Sequence, residues 1–285
     1  MANALIAFGN TVDAGVLSGG SWRATLPLTN LQNRTLGKVA RSADTTTDNT
    51  RFTLDCAASV PIRTVALVNH NLSLTAKYRI RLSNDPAFAT LLADSGWLDA
   101  WPAMFNTLQL PWAAENFWSG RYAERDRQGY TWTSIFSTPF TVYARYVSVM
   151  IQDTSNSAGF VQLGRLFAGD AWQPRINMSI GAGLGWQTGT DIAEALSGAE
   201  YFAEKRPYRV AKFSLGFLSE DEAFGNAFDI KRRMGISGEV VFVFNPDDTL
   251  HALRRQFYGR LRELSLIEYP YATLNSTGFE IKELI

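Results

Sequence analysis

The chain has 285 residues, and its 27 Lys and Arg balance its 27 Asp and Glu, so the formal net charge is zero. Nucleic-acid-binding proteins usually present a basic surface to the phosphates, and the neutral balance therefore argues against a nucleic-acid partner. Hydrophobic residues make up 46% of the chain, which excludes wholesale disorder. At about 150 residues per domain, the length predicts two domains.

The scarcity of cysteine and histidine limits the chemistry that the chain can perform. Cys56 is the single cysteine, and His70 and His251 are the two histidines. This excludes an internal disulfide framework and a Cys- or His-rich metal site, so we expect neither a metal nor a cofactor. No apolar run reaches the ~18 residues of a membrane span, and the N-terminus lacks the basic region of a secretory signal peptide. We therefore expect no membrane span and synthesis in the cytoplasm.

The first 172 residues are predicted to form an antiparallel β-sandwich. Short segments with alternating or β-branched residues are separated by turn signals, such as Val60-Pro61 and Ser95-Gly96, and no long helical period intervenes. The predicted strands are residues 51–56, 62–68, 78–82, 143–151 and 160–167.

Residues 97–143 interrupt this pattern and are predicted to be a long insertion between strands. Twelve of these 47 residues are aromatic, about twice the 13% of the whole chain. Long loops in compact domains are usually functional or disordered, and the aromatic content argues against disorder. The aromatic residues are Trp97, Trp101, Phe105, Trp112, Phe117, Trp118, Tyr122, Tyr130, Trp132, Phe136, Phe140 and Tyr143.

Residues 173–285, which follow the boundary at Trp172-Gln173-Pro174, are predicted to form a β-rich α+β domain. A capping box at Ser219–Glu222 predicts a helix whose apolar face holds Ala223, Phe224, Ala227 and Phe228, and which ends at Gly235. Asp248 is predicted to cap a shorter second helix. The predicted strands are residues 175–180, 208–217, 239–244, 259–267 and 279–284.

No residue set in the chain predicts catalysis. The Gly-rich stretch 181–185 has the wrong spacing for a dinucleotide fingerprint, and we interpret it as a loop or a bulged strand. Cys56 ends a strand among small residues, which favours a buried structural thiol over a nucleophile paired with His70. A serine triad lacks a G-x-S-x-G elbow. We therefore expect a protein that is not an enzyme.

Two further polar groups have competing interpretations. Asp94, Asp99 and Glu115 lie among the tryptophans and suggest a sugar groove, but nothing in the sequence shows two carboxylates that face each other, as glycoside hydrolysis requires. Asn69 and His70 follow an apolar strand, where both suit a tight turn, and the alternative is a ligand site at the edge of the sandwich.

The aromatic insertion is the strongest candidate for function. Trp, Tyr and Arg dominate the energetics of protein interfaces, and tryptophan also stacks on ligands. The alternative is that the insertion folds back as a satellite core on its own sandwich. The candidate interface or ligand-stacking residues are Trp97, Trp101, Trp112, Trp118, Arg121, Tyr122, Tyr130 and Trp132.

The strand sequences resemble a galactose-binding-like (discoidin-type) jelly roll, in the version found in tail-tip proteins of long-tailed bacteriophages. Residues 257–259 and 279–284 are similar to the assembly domain of baseplate or distal-tail components. The segments that resemble the jelly roll are residues 52–55, 61–72, 78–85, 94–97, 144–147 and 161–166.

The resemblance implies a virion protein that forms a ring of six or three copies and joins the tail tube to the hub. Its implied partners are further copies of itself and the tube, hub and tape-measure proteins. The alternative function is recognition of a host-surface glycan by the jelly roll. No calcium or sugar ligand set of the discoidin-type domains is matched in this sequence.

Overall fold

The computed structural model describes residues 2–102, 104–105, 107–248, 250–271 and 273–285. The described chain is mainly β with antiparallel pairing, as the sequence predicts. The strands up to residue 172 are β1 (Leu5–Phe8), β2 (Val16–Ser18), β3 (Ala40–Arg41), β4 (Phe52–Val68), β5 (Lys77–Ser83), β6 (Ala93–Asp94), β7 (Leu98–Asp99), β8 (Thr133–Gln152), β9 (Gln162–Leu163) and β10 (Arg165–Trp172). The later strands are β11 (Gly183–Gln187), β12 (Asp191–Glu194), β13 (Glu200–Ala203), β14 (Tyr208–Leu218), β15 (Glu239–Val243), β16 (Gln256–Glu263), β17 (Ile267–Glu268) and β18 (Asn275–Glu283).

Helices are short and few in the described residues. A π-helical segment, Asp221–Phe228, continues directly into an α-helix, α3, and three single 3₁₀ turns occur at Val12–Ala14, Leu28–Gln32 and Thr107–Gln109. No helix among the described residues is long and apolar enough to cross a membrane. The α-helices are α1 (Thr47–Thr50), α2 (Glu124–Arg127), α3 (Asp229–Met234) and α4 (Ala252–Arg255).

One continuous sheet runs through both halves of the chain. Its strand order is β11-β14-β18-β16-β15-β1-β10-β4-β8-β5-β6, with β17, β2 and β7 paired at its sides. β1 joins the two halves, because Ile6 lies opposite Trp172 of β10 on one side and opposite Phe242 of β15 on the other. The boundary predicted at residue 172 coincides with the end of β10, but the sheet itself does not stop there.

The first half forms a sandwich in which β4 and β8 belong to both layers. The start of β4 pairs with β2 and with the end of β8, and the end of β4 pairs with β10 and with the start of β8. Apolar side chains from both layers meet in one core. Its largest members include Phe52, Leu54, Ile62, Leu67, Tyr78, Ile80, Val149, Ile151 and Leu166.

The predicted turn at Val60-Pro61 is wrong, because β4 continues through it. The pairing register between β4 and β8 shifts between Asp55 and Val60, and Ala57 has a left-handed φ of 64°. Pro61 lies next to this register shift. It pairs with β8, and neither β2 nor β10 pairs with it. A proline is tolerated there because no second neighbouring strand requires its missing N–H.

The predicted end of the insertion at residue 143 is also wrong, because β8 begins at Thr133. Pro139 and the polar residues around it conceal this strand in the sequence. The pairing register between β4 and β8 shifts between Ile62 and Thr64 of β4. The residues between Ser137 and Val142 of β8 therefore form a bulge. A bulge leaves residues outside the ladder, which makes room for a proline in a long strand.

The helical segment packs against the sheet of the second half through small residues. Ala223, Ala227 and Ile230 are buried against a core that includes Phe213 and Phe279. Ser219 caps the segment as predicted, since its Oγ accepts a hydrogen bond from the Glu222 N–H at 3.3 Å.

Two of the four residues predicted for the apolar face of this helix are exposed rather than buried. Phe224 and Phe228 were expected beside the two alanines, but they point to solvent with exposed fractions of 38% and 52%. The small alanines allow the segment to lie close to the sheet, and the two larger rings remain outside. The helix ends at Gly235, which has a φ of 52°.

Two further predictions for the second half have different outcomes. Residues 175–180 do not form a strand, because Asn177 uses its side chain to accept hydrogen bonds from the backbone N–H groups of Ala4 and Met178. Asp248 accepts a hydrogen bond from the His251 N–H at 3.0 Å, directly before α4, as predicted.

A buried ion pair links the two halves beside β1. Arg165 of β10 and Glu239 of β15 lie 2.7 Å apart, with side chains that are 0% and 3% exposed. Arg165 also contacts Asp13 at 2.6 Å and donates a hydrogen bond to the Leu31 carbonyl. Removing one partner of such a pair leaves a charge buried without compensation.

We expect Arg165→Met to lower the free energy of unfolding by about 3–5 kcal/mol, because the buried Glu239 then loses its buried cation and keeps only the exposed Arg34, at 3.4 Å. The double variant Arg165→Met, Glu239→Met should recover much of that loss, since no buried charge remains. Chemical denaturation measures both. Arg145→Met, which removes the exposed pair with Asp55, is the control and should lose much less. An equal loss in the control and in Arg165→Met contradicts the prediction.

Candidate functional site

The aromatic insertion folds back onto its own chain and forms a satellite core. Trp101 is 3% exposed and donates a hydrogen bond from Nε1 to the Leu72 carbonyl at 3.0 Å. Its ring stands perpendicular to that of Trp132, with centroids 5.2 Å apart. Tyr122 and Leu253 of α4 complete the buried cluster, so the insertion contacts the second half as well as the sandwich.

The eight predicted interface or stacking residues therefore divide into two groups. Trp101, Tyr122, Tyr130 and Trp132 belong to the satellite core, and Arg121 forms an ion pair with Asp99 at 3.4 Å. The other three remain accessible to a partner. Trp97 is 39% exposed, Trp112 is 77% exposed and Trp118 is 84% exposed.

A cavity of about 490 Å³ lies between the insertion, the end of the sandwich and α4. Trp97 and Tyr122 provide aromatic walls, and Asp99, Asp248 and Gln256 provide polar ones. Asp99 interacts with Lys77 at 3.8 Å as well as with Arg121. Mainly apolar clefts of this size with a few polar groups are the usual form of small-molecule sites.

His70 and Ser134 lie at the wall of this cavity but are not arranged for nucleophilic catalysis. The His70 Nδ1 accepts a hydrogen bond from the Leu72 N–H at 3.3 Å, so the ring proton of the neutral form is on Nε2. Nε2 lies 3.0 Å from the Ser134 Oγ and is therefore the donor in that hydrogen bond. A nitrogen that already holds a proton cannot accept one from the serine, which argues against a serine hydrolase.

Burial and the nearby Arg127 cation lower the pKa of His70 to about 3. In the unfolded chain its pKa is about 6.5. Between these values the unfolded state binds a proton that the native state does not bind, so stability falls as the pH drops below about 6.5. The neutral imidazole is thus part of the structure, and Asn69 beside it has the left-handed φ of 55° that suits the predicted turn.

We expect the free energy of unfolding to fall by up to about 1.4 kcal/mol per pH unit between pH 6.5 and 5. The variant His70→Gln should show a shallower slope in this window, because its side chain does not titrate. Urea denaturation at a series of pH values, followed by tryptophan fluorescence, gives both slopes. His251→Gln is measured in parallel to separate the contribution of the other histidine. Equal slopes in wild type and His70→Gln contradict the prediction.

Cys56 and the Gly-rich stretch have structural roles. Burial raises the pKa of the Cys56 thiol, which lowers the fraction of reactive thiolate, and its Sγ lies 3.9 Å from the Thr11 Oγ1. The Gly-rich stretch leads into β11, the edge strand of the sheet, and no helix follows it to bind a phosphate. No group of three His, Cys, Asp or Glu side chains suited to a metal ion occurs among the described residues.

Residues 188–207 form a β-hairpin between β11 and β14, which we call the arm. Its strands β12 and β13 pair with each other in a separate two-stranded sheet, and all their residues are exposed. Ile192 and Phe202 lie opposite each other, with exposed fractions of 62% and 55%, and Tyr201 is 66% exposed on the other side. Leu196 near the tip is fully exposed. A two-stranded hairpin is marginally stable in water, and the large apolar side chains of the arm are not covered by the rest of the described chain.

The sequence analysis did not identify the arm. The signal that predicts it is the pair of short segments 191–194 and 200–203 on either side of Ser197-Gly198, which is a turn dipeptide. Near its base the two sides of the arm are joined by an ion pair between Lys205 and Asp191 at 2.7 Å, and Arg206 donates a hydrogen bond to the Gly129 carbonyl at 3.2 Å.

The sequence matches no protein-family model and no curated protein. Solved structures are similar to the chain at low identity. A family 31 glycoside hydrolase module from Clostridium perfringens, described as CBM32-1, is 12% identical with a TM-score of 0.38, over 57% of this chain and 99% of that one. A fucose binding module from Streptococcus pneumoniae is 12% identical with a TM-score of 0.37, over 57% and 95%. A lectin-binding domain of lectinolysin, complexed with Lewis b, is 14% identical with a TM-score of 0.37, over 57% and 96%. TM-scores below 0.5 at these identities support no conclusion about function.

Proposed function

We propose that the chain is a non-enzymatic assembly protein that forms a homo-oligomeric ring in the tail tip or baseplate of a bacteriophage. The observation that supports the proposal is the arm, whose large apolar side chains have no partner within the chain. Burying an exposed large apolar side chain contributes about 1.5–3 kcal/mol, so four of them supply a substantial part of an interface. The sequence resemblance to tail-tip proteins supports the virion location and the tube, hub and tape-measure partners.

Two candidate nucleophiles, Ser134 and Cys56, lie in surroundings that do not activate them. The Ser134 hydroxyl accepts from His70, and the Cys56 thiol has a raised pKa. Neither side chain is therefore activated as a nucleophile. The aromatic insertion contributes Trp112 and Trp118 to the accessible surface, where they are available to a neighbouring tail protein.

We expect the purified chain to assemble into a ring of six or three copies at micromolar concentration. Replacing residues 191–203 by a short Gly-Ser linker should shift it to monomers without loss of the fold, because the arm makes no core. Light scattering measures the mass, circular dichroism checks the fold, and negative-stain electron microscopy shows the ring. A wild-type monomer at every concentration from about 1 to 100 µM, with neighbouring tail proteins also present, contradicts the proposal.

A second candidate function is binding of a host-surface glycan in the cavity beside Trp97. The observation that favours it is the position of Trp97. Its indole is half exposed at the mouth of a cavity that also presents the carboxylates of Asp99 and Asp248. Aromatic rings stack on sugar faces while acidic and amide groups accept hydrogen bonds from the hydroxyls.

We expect Trp97→Ala to weaken glycan binding at least tenfold if this second function holds, because the stacking surface is lost. A glycan array identifies the ligand, and titration calorimetry compares wild type with the variant. Phe140→Ala, which removes an exposed ring on β8 outside the cavity, is the control and should bind normally. An array without a ligand, or binding that survives Trp97→Ala, contradicts this function.

A further inference from the structure

The exposed side of the helical segment is a second apolar surface without a partner. Phe224, Phe228 and Arg232 are spaced four residues apart and are all exposed; together with the exposed Ile236, which follows the end of the helix, we call them the helix face. The Phe224 ring lies 6.4 Å from that of Tyr269, which is 71% exposed and extends the surface. A β-carbon added at Gly225 would meet nothing within 4 Å, so the surface beside the rings is open.

The arm and the helix face begin at opposite ends of the same strand. The arm joins β14 at Tyr208, and the helical segment starts shortly after Leu218. At about 3.3 Å per residue, the two ends of β14 are roughly 33 Å apart. The apolar side chains of both surfaces are exposed in the single chain, which shows that they do not cover each other.

The two surfaces differ in charge. The arm, residues 188–207, has four acidic side chains and two basic ones, and the basic residues, Lys205 and Arg206, lie at its base, where Lys205 pairs with Asp191. The helical region begins with three acidic residues, Glu220, Asp221 and Glu222, whereas its last part, residues 228–236, has three basic residues and one acidic residue. Lys231 is buried and donates a hydrogen bond to the Ser265 carbonyl, whereas Arg232 and Arg233 are 66% and 49% exposed. Asp229 pairs with both arginines, which leaves a net positive charge at this end of the helix face.

On the basis of the proposed function, we infer that the arm of one copy docks on the helix face of the next copy. The occupant of the helix face is thus a second copy of this chain, because the arm supplies complementary charge and the missing apolar cover. A contact between two different surfaces of the same chain is head-to-tail, and repeating it closes a ring when the rotation between copies permits. One kind of contact then covers both exposed surfaces in every copy.

A complementation experiment tests this contact directly. The arm variant is Ile192→Ser, Phe202→Ser, and the face variant is Phe228→Glu, Arg232→Glu, so that the two altered surfaces do not carry opposite charges. Each should be a folded monomer, because each has lost one of the two surfaces. Mixed in equal amounts, they should form a dimer of one arm variant and one face variant, and nothing larger, because one intact arm and one intact face remain. Sedimentation velocity measures the masses, and circular dichroism checks the fold.

The control is Phe140→Glu, which changes an exposed apolar residue outside both surfaces and should assemble as wild type does. If an arm variant fails to fold, Leu196→Ser near the tip replaces it. A wild-type ring that survives the arm variant or the face variant overturns this contact and leaves the proposed function standing. A mixture of folded variants that stays monomeric also overturns it. A wild type that is always monomeric overturns the proposed function instead.

Discussion

The structure depends on one four-residue strand that is hydrogen-bonded on both of its edges. β1 pairs with β10 of the first half and with β15 of the second, and all four of its residues are buried. Alternate side chains enter different cores: Leu5 and Ala7 face the core shared by the halves, and Ile6 and Phe8 face the core beneath the helical segment. Arg165 and Glu239 connect the same two strands through their side chains. Without β1 each half would expose an unpaired sheet edge, so β1 makes the sheet continuous between the halves.

Local patterns in the sequence predict most of the strands but not how they are joined. The alternation at residues 78–82 and the apolar runs at 208–217 and 239–244 correspond to β5, β14 and β15. Two of the failures occur at Pro61 and Pro139, where a proline normally ends a strand. Both lie where the β4–β8 register shifts, and a shift is a property of two distant segments rather than of either one. For the same reason, the four residues of β1 do not indicate on their own that this strand pairs with both β10 and β15.

The candidate surfaces were only partly predictable for a related reason. The aromatic density of the insertion marks a packing surface, but the composition of a loop does not say which neighbour it packs against. Trp101 is buried because α4, about 150 residues later in the chain, supplies Leu253. The four-residue spacing of Phe224 and Phe228 suits a buried face as well as an exposed one, and the small alanines beside them decide which it is. The arm escapes prediction because its short strands are recognisable only as a pair.

The zero net charge has a physical meaning that composition alone conceals. Both the acidic part of the arm and the basic end of the helix face belong to the second half, where 13 basic and 15 acidic residues nearly balance, so a count over that half conceals them. Locally they remain separate, at opposite ends of β14. A chain with no net charge does not repel its own copies at long range, while the local charges still favour one orientation over the others at close range. The chain as a whole is neutral, and its opposite charges lie apart within the second half. Together these two features suit a protein whose main partner is another copy of itself.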